Sequence, residues 1–416
     1  MPALRCAFPW LARAMTGALI CVLALCCPLL QAQAPAPRLQ VSLLTFGPGD
    51  IYWERFGHNA IVIRDLGTGD AVSYNYGIFD FEEDDFFVNF LRGRMRYQIA
   101  ANGAQDDIDY YIADGRSITE QVLRFTEAQA LALKRDLDTN LLPENRHYRY
   151  DYFTSNCSTR VRDALDRALG GALHAQMISP SRGYTYRLLA DALTSPDALL
   201  MGAIDIGLGP FADQRLSFWH DSFVPMQLMS HLREMTVPDA HGNRTALVLE
   251  ERVLADARLP APPALPPDLR WPFLGLGLAF AGLLLTLSAR RGSRWARNGF
   301  SASALLFSMA CGLVSLIMLG LWAFTEHVSA WRNENLLVFS PLCLGLLPTW
   351  WRSMRATWTP SAFSRWLATA IALLALFALF SKILTSFPQA NLHWILLLLP
   401  AHLVLAHSVI RARSLA

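Results

Sequence analysis

Charge and cysteine are both scarce in this chain. Only 17% of its 416 residues are charged, and the formal net charge is +2. A nucleic-acid-binding protein normally carries a concentrated excess of lysine and arginine. The near-neutral balance gives no reason to expect a nucleic-acid partner.

The seven cysteines are distributed unevenly. Six of them lie in or beside apolar segments: Cys6, Cys21, Cys26, Cys27, Cys311 and Cys343. Cys157 is the only cysteine in the polar part of the chain, so it has no partner there for the disulfides that exported proteins usually form. A single thiol kept in an oxidising compartment indicates a chemical role.

The N-terminal segment has the order of a secretory signal peptide. Arg5 and Arg13 precede an apolar run over residues 14–30, and Gln31-Ala32-Gln33-Ala34 follows it. We predict a signal peptide over residues 1–32, with cleavage near Ala32 or Ala34. An uncleaved signal anchor is the alternative, because the apolar run is somewhat long.

The rest of the chain divides into three parts. Residues 38–257 have the mixed pattern of an exported α+β domain, and residues 258–270 contain five prolines and form an extended linker. Residues 271–416 are predicted to be an all-α transmembrane domain of about five helices. The predicted spans are Trp271–Ala289, Ala302–Phe324, Leu336–Trp351, Ala368–Leu384 and Leu392–Ile410.

Arginines alternate with these spans. They cluster after the first, third and fifth runs, and the loops after the second and fourth runs are poor in them. Positive loops stay on the cytoplasmic side. This places the 38–257 domain in the periplasm of a multi-pass inner-membrane protein. The third span is the shortest and contains Pro341 and Pro348.

The exported domain begins with three strand patterns. Residues 39–46 form an apolar strand, Phe56-Gly57-His58 leads into a second strand over 60–63, and the segment AVSYNYGIFDF from Ala71 alternates polar and apolar residues. Thr126 with Gln129 has the form of a capping box and predicts a helix that ends near Asn140.

Cys157 is predicted to stand at a helix N-terminus. Val161, Leu165 and Leu169 recur every four residues beyond it, which is one face of a helix. The unpaired N–H groups and the positive end of the helix dipole would favour the nucleophilic thiolate. The alternative is a cysteine buried as a small hydrophobic residue.

A cysteine nucleophile requires a base and a group that orients the base. Among the histidines of the exported region, His58 opens an apolar strand directly after a glycine, where its ring would be held at the end of a sheet. Asn75 on the next strand is our candidate for the orienting residue. Tyr74 or Tyr76 would take that place if the register differed.

Three features together resemble a known family. The Phe56-Gly57-His58-Asn59-Ala60 segment, Tyr74-Asn75-Tyr76-Gly77 and Thr154-Ser155-Asn156-Cys157-Ser158-Thr159, followed by several spans, are similar to the Lnb-type lipoprotein N-acyltransferases of bacteria. The resemblance implies a circularly permuted papain-like periplasmic domain of the NlpC/P60 superfamily. Its lecithin:retinol acyltransferase group also places histidine before cysteine.

The resemblance also implies the reaction. Cys157 would carry an acyl chain from a membrane phospholipid as a thioester, and His58 would act as general base. The acceptor would be the α-amino group of a diacylated bacterial lipoprotein, and neither a metal nor another cofactor would be needed. Asn75 would orient His58, and the residues we expect to contact substrate are Asn156, Ser158, Tyr76 and Tyr152.

Two alternatives remain open at the level of sequence. A Cys–His hydrolase of the same fold, either a phospholipase or a peptidoglycan amidase or endopeptidase, would use the same pair of residues. A wall hydrolase would not need several spans. The second alternative is a membrane scaffold without enzymatic activity, in which Cys157 is a packing residue and tolerates replacement.

Overall fold

A computed structural model describes residues 38–79, 85–239 and 241–412. The predicted signal peptide, residues 1–32, lies outside these ranges. The described part begins with an antiparallel sheet flanked by helices and ends with a bundle of long apolar helices. The domain bounds given above remain predictions.

The main sheet has seven strands in the order β6-β4-β3-β2-β1-β5-β9, and every neighbouring pair is antiparallel. β7 and β8 form a separate two-stranded sheet. The strands are β1 (Leu39–Phe46), β2 (His58–Asp65), β3 (Ala71–Ile78), β4 (Arg96–Gly103), β5 (Ile118–Leu123), β6 (His147–Arg149), β7 (Thr236–Pro238), β8 (Arg244–Ala246) and β9 (Val248–Ala255).

Nine α-helices accompany these strands among the residues described before position 240. They are α1 (Phe86–Arg92), α2 (Ala104–Ala113), α3 (Glu127–Leu141), α4 (Cys157–Ala168), α5 (Ala172–Met177), α6 (Tyr186–Thr194), α7 (Ala198–Gly207), α8 (Phe218–Asp221) and α9 (Pro225–Leu232). Short 3-10 helices cover Tyr52–Glu54 and Pro210–Asp213.

The two faces of the sheet bury different helices. Because side chains alternate along a strand, Ile61 and Ile63 of β2 point to one face and pack in a core with α3 and α4. Ala60 and Val62 point to the other face, in a smaller core that includes Ala104 of α2. His58 has the parity of Ala60, so its ring belongs to the α2 side.

The predicted elements at the start of the domain are confirmed. β1 has the predicted bounds, and the strands predicted after Gly57 and at Ala71 are β2 and β3. Thr126 and Gln129 form the predicted capping box of α3. The predictions did not include β4, β5 or α2, whose sequences are more polar and lack a clear period.

The membrane part contains α10 (Arg270–Ala289), α11 (Arg294–Phe324), α12 (Leu347–Arg352), α13 (Ala362–Ser381) and α14 (Leu392–Arg411). Among the described residues, four helices are long and apolar enough to cross a membrane: α10, α11, α13 and α14. The prediction of a fifth spanning helix at residues 336–351 is wrong, because this segment is not one continuous helix.

That segment is broken into 3-10 helices (Glu334–Leu337 and Pro341–Leu346) and the short α12. Pro341 and Pro348 lack the N–H that a continuous helix would need. The segment nevertheless runs antiparallel to α11, since Trp350 Nε1 donates to Ser308 Oγ at 2.8 Å and Ser353 Oγ lies 2.6 Å from Ser301 Oγ. These side-chain bonds fasten the broken segment to α11.

Candidate active site

Cys157 is the first residue of α4. Asn156 caps the helix: its side chain accepts the Thr159 N–H at 2.9 Å, and the Thr159 hydroxyl accepts the Asn156 N–H at 2.8 Å. Such a reciprocal box fixes the first turn of a helix. The predicted position of Cys157 at a helix N-terminus is confirmed, and its thiol is free and partly exposed.

The start of α4 is fastened to the start of β2. Ser158 Oγ lies 2.8 Å from Asn59 Oδ1 and 2.7 Å from the Ser222 carbonyl, and Asn59 Nδ2 donates to Thr45 Oγ1 at 2.9 Å. Asn59 and Ser158 are both fully buried. Because Asn59 follows His58 directly, this contact holds the cysteine and histidine segments side by side.

Gly77 permits the close approach of Cys157 to β3. Its φ is +93°, and a Cβ at this position would lie only 3.2 Å from the Cys157 Cβ. The pairing of β3 with β4 shifts register between Tyr76 and Ile78, as at a β-bulge. A side chain at position 77 would be strained by its backbone and would push the thiol away.

The environment of the thiol contains opposing effects. Backbone N–H groups of Asn59 and Ser158 act on the sulfur, and with the Arg116 charge they lower its pKa, but burial is the largest effect and the pKa is raised to about 11. The prediction that the helix N-terminus lowers the Cys157 pKa and stabilises the thiolate is therefore wrong, because the net shift of the pKa is upward. At neutral pH Cys157 is a thiol that requires a base.

His58 is held by a chain of side chains. Its Nε2 is 2.9 Å from Asn75 Oδ1, and Asn75 Nδ2 donates to Asp107 Oδ2 at 2.7 Å. A carboxylate only accepts, so Asp107 turns the Asn75 nitrogen toward itself and the Asn75 oxygen toward His58. His58 must then carry its proton on Nε2, which leaves Nδ1 able to accept one.

The surroundings of His58 keep it neutral. Its ring lies beside the stacked pair of Phe46 and Tyr111, with centroids 5.9 Å from Phe46 and 6.1 Å from Tyr111, and those two rings are 3.8 Å apart. Burial lowers the His58 pKa to about 4, against smaller opposing effects of Asn75 and Asp107. A neutral imidazole can accept a proton from a neutral thiol, as a general base does, whereas an ion pair would have transferred the proton already.

The other residues predicted for the site are placed as follows. Tyr74 and Tyr76 point to the opposite face of the sheet, where their hydroxyls donate to Asp138 and Asn140 of α3, each at 2.8 Å. Neither orients His58. Asn75 is the residue that contacts His58.

The positions of Asn156, Ser158 and Tyr76 argue against the substrate contacts expected for them. They are 5%, 0% and 2% exposed, and each is engaged within the protein. Tyr152 is partly exposed, and its ring centroid is 6.0 Å from that of His327 in the membrane domain.

Three residues near the pair were missed. Asp107 lies on α2, Arg116 acts on both Cys157 and His58, and Tyr148 has a buried hydroxyl whose oxygen is reached by the Gly77 backbone N–H and whose proton has no acceptor within the described part of the chain. Cys157 and Tyr148 are close enough to influence each other's charge, since the thiol contributes to the raised pKa of Tyr148. No local pattern marks these residues, although Tyr148 lies within ten positions of Cys157.

Two family models match the chain. The model described as the Lnb N-terminal periplasmic domain covers residues 28–192, and the Lnb transmembrane domain covers residues 272–414. The chain belongs to the Lnb family. No curated protein and no solved structure matches it.

The first match spans His58, Asn75 and Cys157. Together with the four long apolar helices, the two matches make this Lnb protein a multi-pass membrane protein with a periplasmic domain. The family indicates a role in the modification of lipoproteins.

Proposed function

We propose that this Lnb protein is a lipoprotein N-acyltransferase of the bacterial inner membrane. It would move a fatty acyl chain from a glycerophospholipid, through a thioester on Cys157, to the α-amino group of a diacylated lipoprotein. The observation that carries the proposal is the bond between Ser158 and Asn59, which fastens the helix that begins with Cys157 to the strand that begins with His58, whose Nε2 is 2.9 Å from Asn75 Oδ1.

We also infer a circularly permuted papain-like fold for the periplasmic domain. The strand that begins with His58 precedes the helix that begins with Cys157, and both elements meet at one end of the sheet through Asn59 and Ser158. Asn75 on the neighbouring strand completes the set. The order histidine, asparagine, cysteine along the chain supports the permutation.

The first half of the reaction forms the thioester. His58 Nδ1 accepts the thiol proton while the Cys157 sulfur attacks the ester carbonyl carbon of the phospholipid. The tetrahedral intermediate collapses, the carbon–oxygen bond to glycerol breaks, and His58 returns the proton to the departing glycerol oxygen. A lysophospholipid leaves, and the acyl group stays on the sulfur.

The second half transfers the acyl group. The lipoprotein amine attacks the thioester carbonyl, His58 accepts a proton from the nitrogen, and the carbon–sulfur bond breaks. The proton then passes to the Cys157 sulfur, which restores the thiol and leaves an amide. In both halves the buried Tyr148 hydroxyl can donate to the negative oxygen of the tetrahedral intermediate, since its proton has no acceptor among the described residues.

The membrane domain fits this chemistry. Moving acyl chains from a bilayer into water costs about 0.8 kcal/mol per methylene, so exposing one chain of about sixteen carbons would cost roughly 10 kcal/mol. Both substrates therefore have to react at the bilayer surface. The spanning helices would hold Cys157 there, on the periplasmic side.

The decisive experiment is mass spectrometry of a lipoprotein N-terminus. Cells that lack their own N-acyltransferase would receive this chain or its Cys157→Ala variant, with equal membrane levels of both checked by immunoblot. We expect triacylated lipoprotein with the unaltered chain and only diacylated lipoprotein with the variant. Purified enzyme incubated with phospholipid should also gain the mass of one acyl group on Cys157.

The rival functions give different outcomes. Diacylated lipoprotein in both strains would contradict the proposal. Release of free fatty acid from phospholipid with no change in the lipoprotein would identify a phospholipase instead, because water rather than an amine would then resolve the thioester.

A further inference from the structure

Two exposed apolar segments lie side by side near the mouth of the site. One consists of Ile51, Tyr52 and Trp53, which are 45%, 54% and 44% exposed. The other is the face of α1 that presents Phe87, Val88 and Leu91, which are 67%, 41% and 67% exposed. We call these six residues the lip.

Phe79 joins the two halves of the lip. Its ring centroid is 6.3 Å from that of Trp53 and 6.1 Å from that of Phe86, the first residue of α1. Exposed apolar clusters of this kind mark surfaces that bind a membrane, a ligand or another protein. The position of the lip decides among these.

The lip is attached to the end of a spanning helix. α11 ends at Phe324, and two residues later the Glu326 N–H donates to the Arg92 carbonyl at the end of α1, at 2.8 Å. His327 Nε2 lies 3.0 Å from the Phe90 carbonyl. These bonds place the end of α1 at the level where α11 leaves the bilayer.

Charges and aromatic rings support that level. Glu326 pairs with Arg94 at 2.7 Å and with Arg149 at 2.6 Å, and both arginines remain more than half exposed. Trp322 and Phe324 at the end of α11 are exposed, as expected of an aromatic belt at the membrane surface. Arginine beside an aromatic belt suits phosphate headgroups.

Aromatic rings connect the lip to Cys157. Ring centroids are 5.2 Å apart between Phe79 and Tyr97 and 4.1 Å apart between Tyr97 and Tyr150. Tyr150 in turn lies within electrostatic reach of the Cys157 sulfur. The result is a series of neighbouring aromatic rings, here called the aromatic wall, that leads from the exposed segments towards the thiol.

We infer that the lip dips into the outer leaflet and that glycerophospholipid enters sideways along this aromatic wall, so that its ester reaches Cys157 while its acyl chain stays in apolar surroundings. The inference rests on the proposed function for the fate of the lipid. The occupant of the lip itself, the acyl region of the bilayer, follows from the attachment to α11.

Photolabelling tests the location. The full-length Cys157→Ala variant would be placed in nanodiscs containing a phospholipid with a diazirine on its acyl tail, irradiated and mapped by peptide mass spectrometry. We expect label on the peptides that carry residues 51–53 and 86–91, besides the spanning helices. The peptide that carries Leu66, which is 51% exposed in the turn after β2, serves as the unlabelled control.

The outcomes of this experiment are distinct. Label on the spanning helices without label on the lip would overturn the inference, and so would equal label on the Leu66 peptide. A lip that is shielded because it binds another protein would give the first of these results. Because the variant is inert, labelling does not depend on acyl transfer, and a failed lipoprotein assay would leave the location intact.

A kinetic experiment tests the proposed route of phospholipid entry. We expect the double substitution Phe87→Ser, Leu91→Ser to raise the KM for bilayer phospholipid about tenfold, because two side chains lose their burial in lipid. The loss should be several times smaller for a short-chain ester dispersed in water. Leu66→Ser, an equally apolar and exposed position at the far end of β2, should change neither value. An equal loss on both substrates would contradict the path.

Discussion

Two clusters of buried polar side chains in the periplasmic domain differ in charge. At the Cys157 end of the sheet the groups are neutral: the thiol forms no disulfide, and the Tyr148 hydroxyl proton has no acceptor within the described residues. At the junction with the membrane domain the groups are ionic and densely paired around Arg187.

Arg187 is buried and hydrogen-bonded at the centre of the junction. Its side chain is 4% exposed and donates to Asp205 at 2.7 Å, to Asp213 at 2.9 Å and to the Leu208 carbonyl at 2.8 Å. Asp205 also accepts the indole N–H of Trp394 from α14 at 2.6 Å. Burial acts to raise the Asp205 pKa, but the hydrogen bond with His393 Nε2, at 2.6 Å, and the Arg187 charge outweigh it and lower the pKa to about 2.

The difference in charge separates a region that holds the two domains together from a region that is suited to a reaction. Fully paired charges resist displacement, because any movement exposes an uncompensated ion in a region of low dielectric. A neutral pair with an unused hydroxyl can instead exchange protons and accept a new charge. We therefore interpret the junction as the region that fixes the periplasmic domain on the bilayer. The Cys157 end is the region where the proposed reaction occurs.

The largest effect is expected from opening the junction. Arg187→Met would leave Asp205 and Asp213 buried without their cation, and we expect a loss of about 3–5 kcal/mol in the free energy of unfolding. Urea unfolding of the detergent-solubilised protein measures it. The matched control is Arg182→Met, whose pair with Glu234 is partly exposed, and its cost should stay below about 1 kcal/mol. Equal losses would show that the junction does not depend on its charges.

A smaller effect is expected from releasing His58. Asn75→Ala removes the hydrogen bond to Nε2, and kcat/KM should fall about 100-fold while the protein remains folded, because the imidazole loses its tautomer and orientation. Asn102→Ala is the control, since Asn102 also donates to Asp107, at 2.8 Å, but does not touch His58. A loss of the same size in both variants would mean that Asn75 acts through packing alone.

The smallest effect concerns pH. With a His58 pKa of about 4, kcat/KM should stay level as pH falls from neutral and then drop about tenfold per pH unit below that value, because the protonated ring cannot accept the thiol proton. Since the Asp107 charge raises the His58 pKa, Asp107→Ala should move the acid limb to lower pH. Exposed Asp106→Ala should leave it in place, and an acid limb near pH 6 or 7 would contradict the burial of His58.

Local sequence signals were sufficient for the elements that carry the pair. The run of apolar residues at 39–46, the glycine before His58 and the four-residue period after Cys157 each describe an element by its own residues, and β1, β2 and α4 follow them. The same reasoning failed at residues 336–351. There the apolar composition was correct, but two prolines break the helix and contact with α11 stabilises the broken form.

The partners of the pair could be predicted only in part. Asn75 could be selected because strand alternation puts it on one face of β3, yet the choice between Asn75 and its tyrosine neighbours depended on the register with β2. Asp107 could not be found at all, because α2 reaches the sheet only through the tertiary fold. The substrate contacts expected of Asn156 and Ser158 stay predictions, and the burial of both residues in a cap and in internal bonds argues against them.

The sequence by itself determined three features: a single thiol in the exported part, a histidine at the start of a strand, and a membrane domain that follows them in the chain. It could do so because composition and periodicity are properties of consecutive residues. Only the tertiary structure decided the charge state of the pair. Burial acts on Cys157 and His58 from elements far apart in the chain, and it outweighs the helix terminus that the sequence shows. The site therefore holds a thiol and a neutral imidazole.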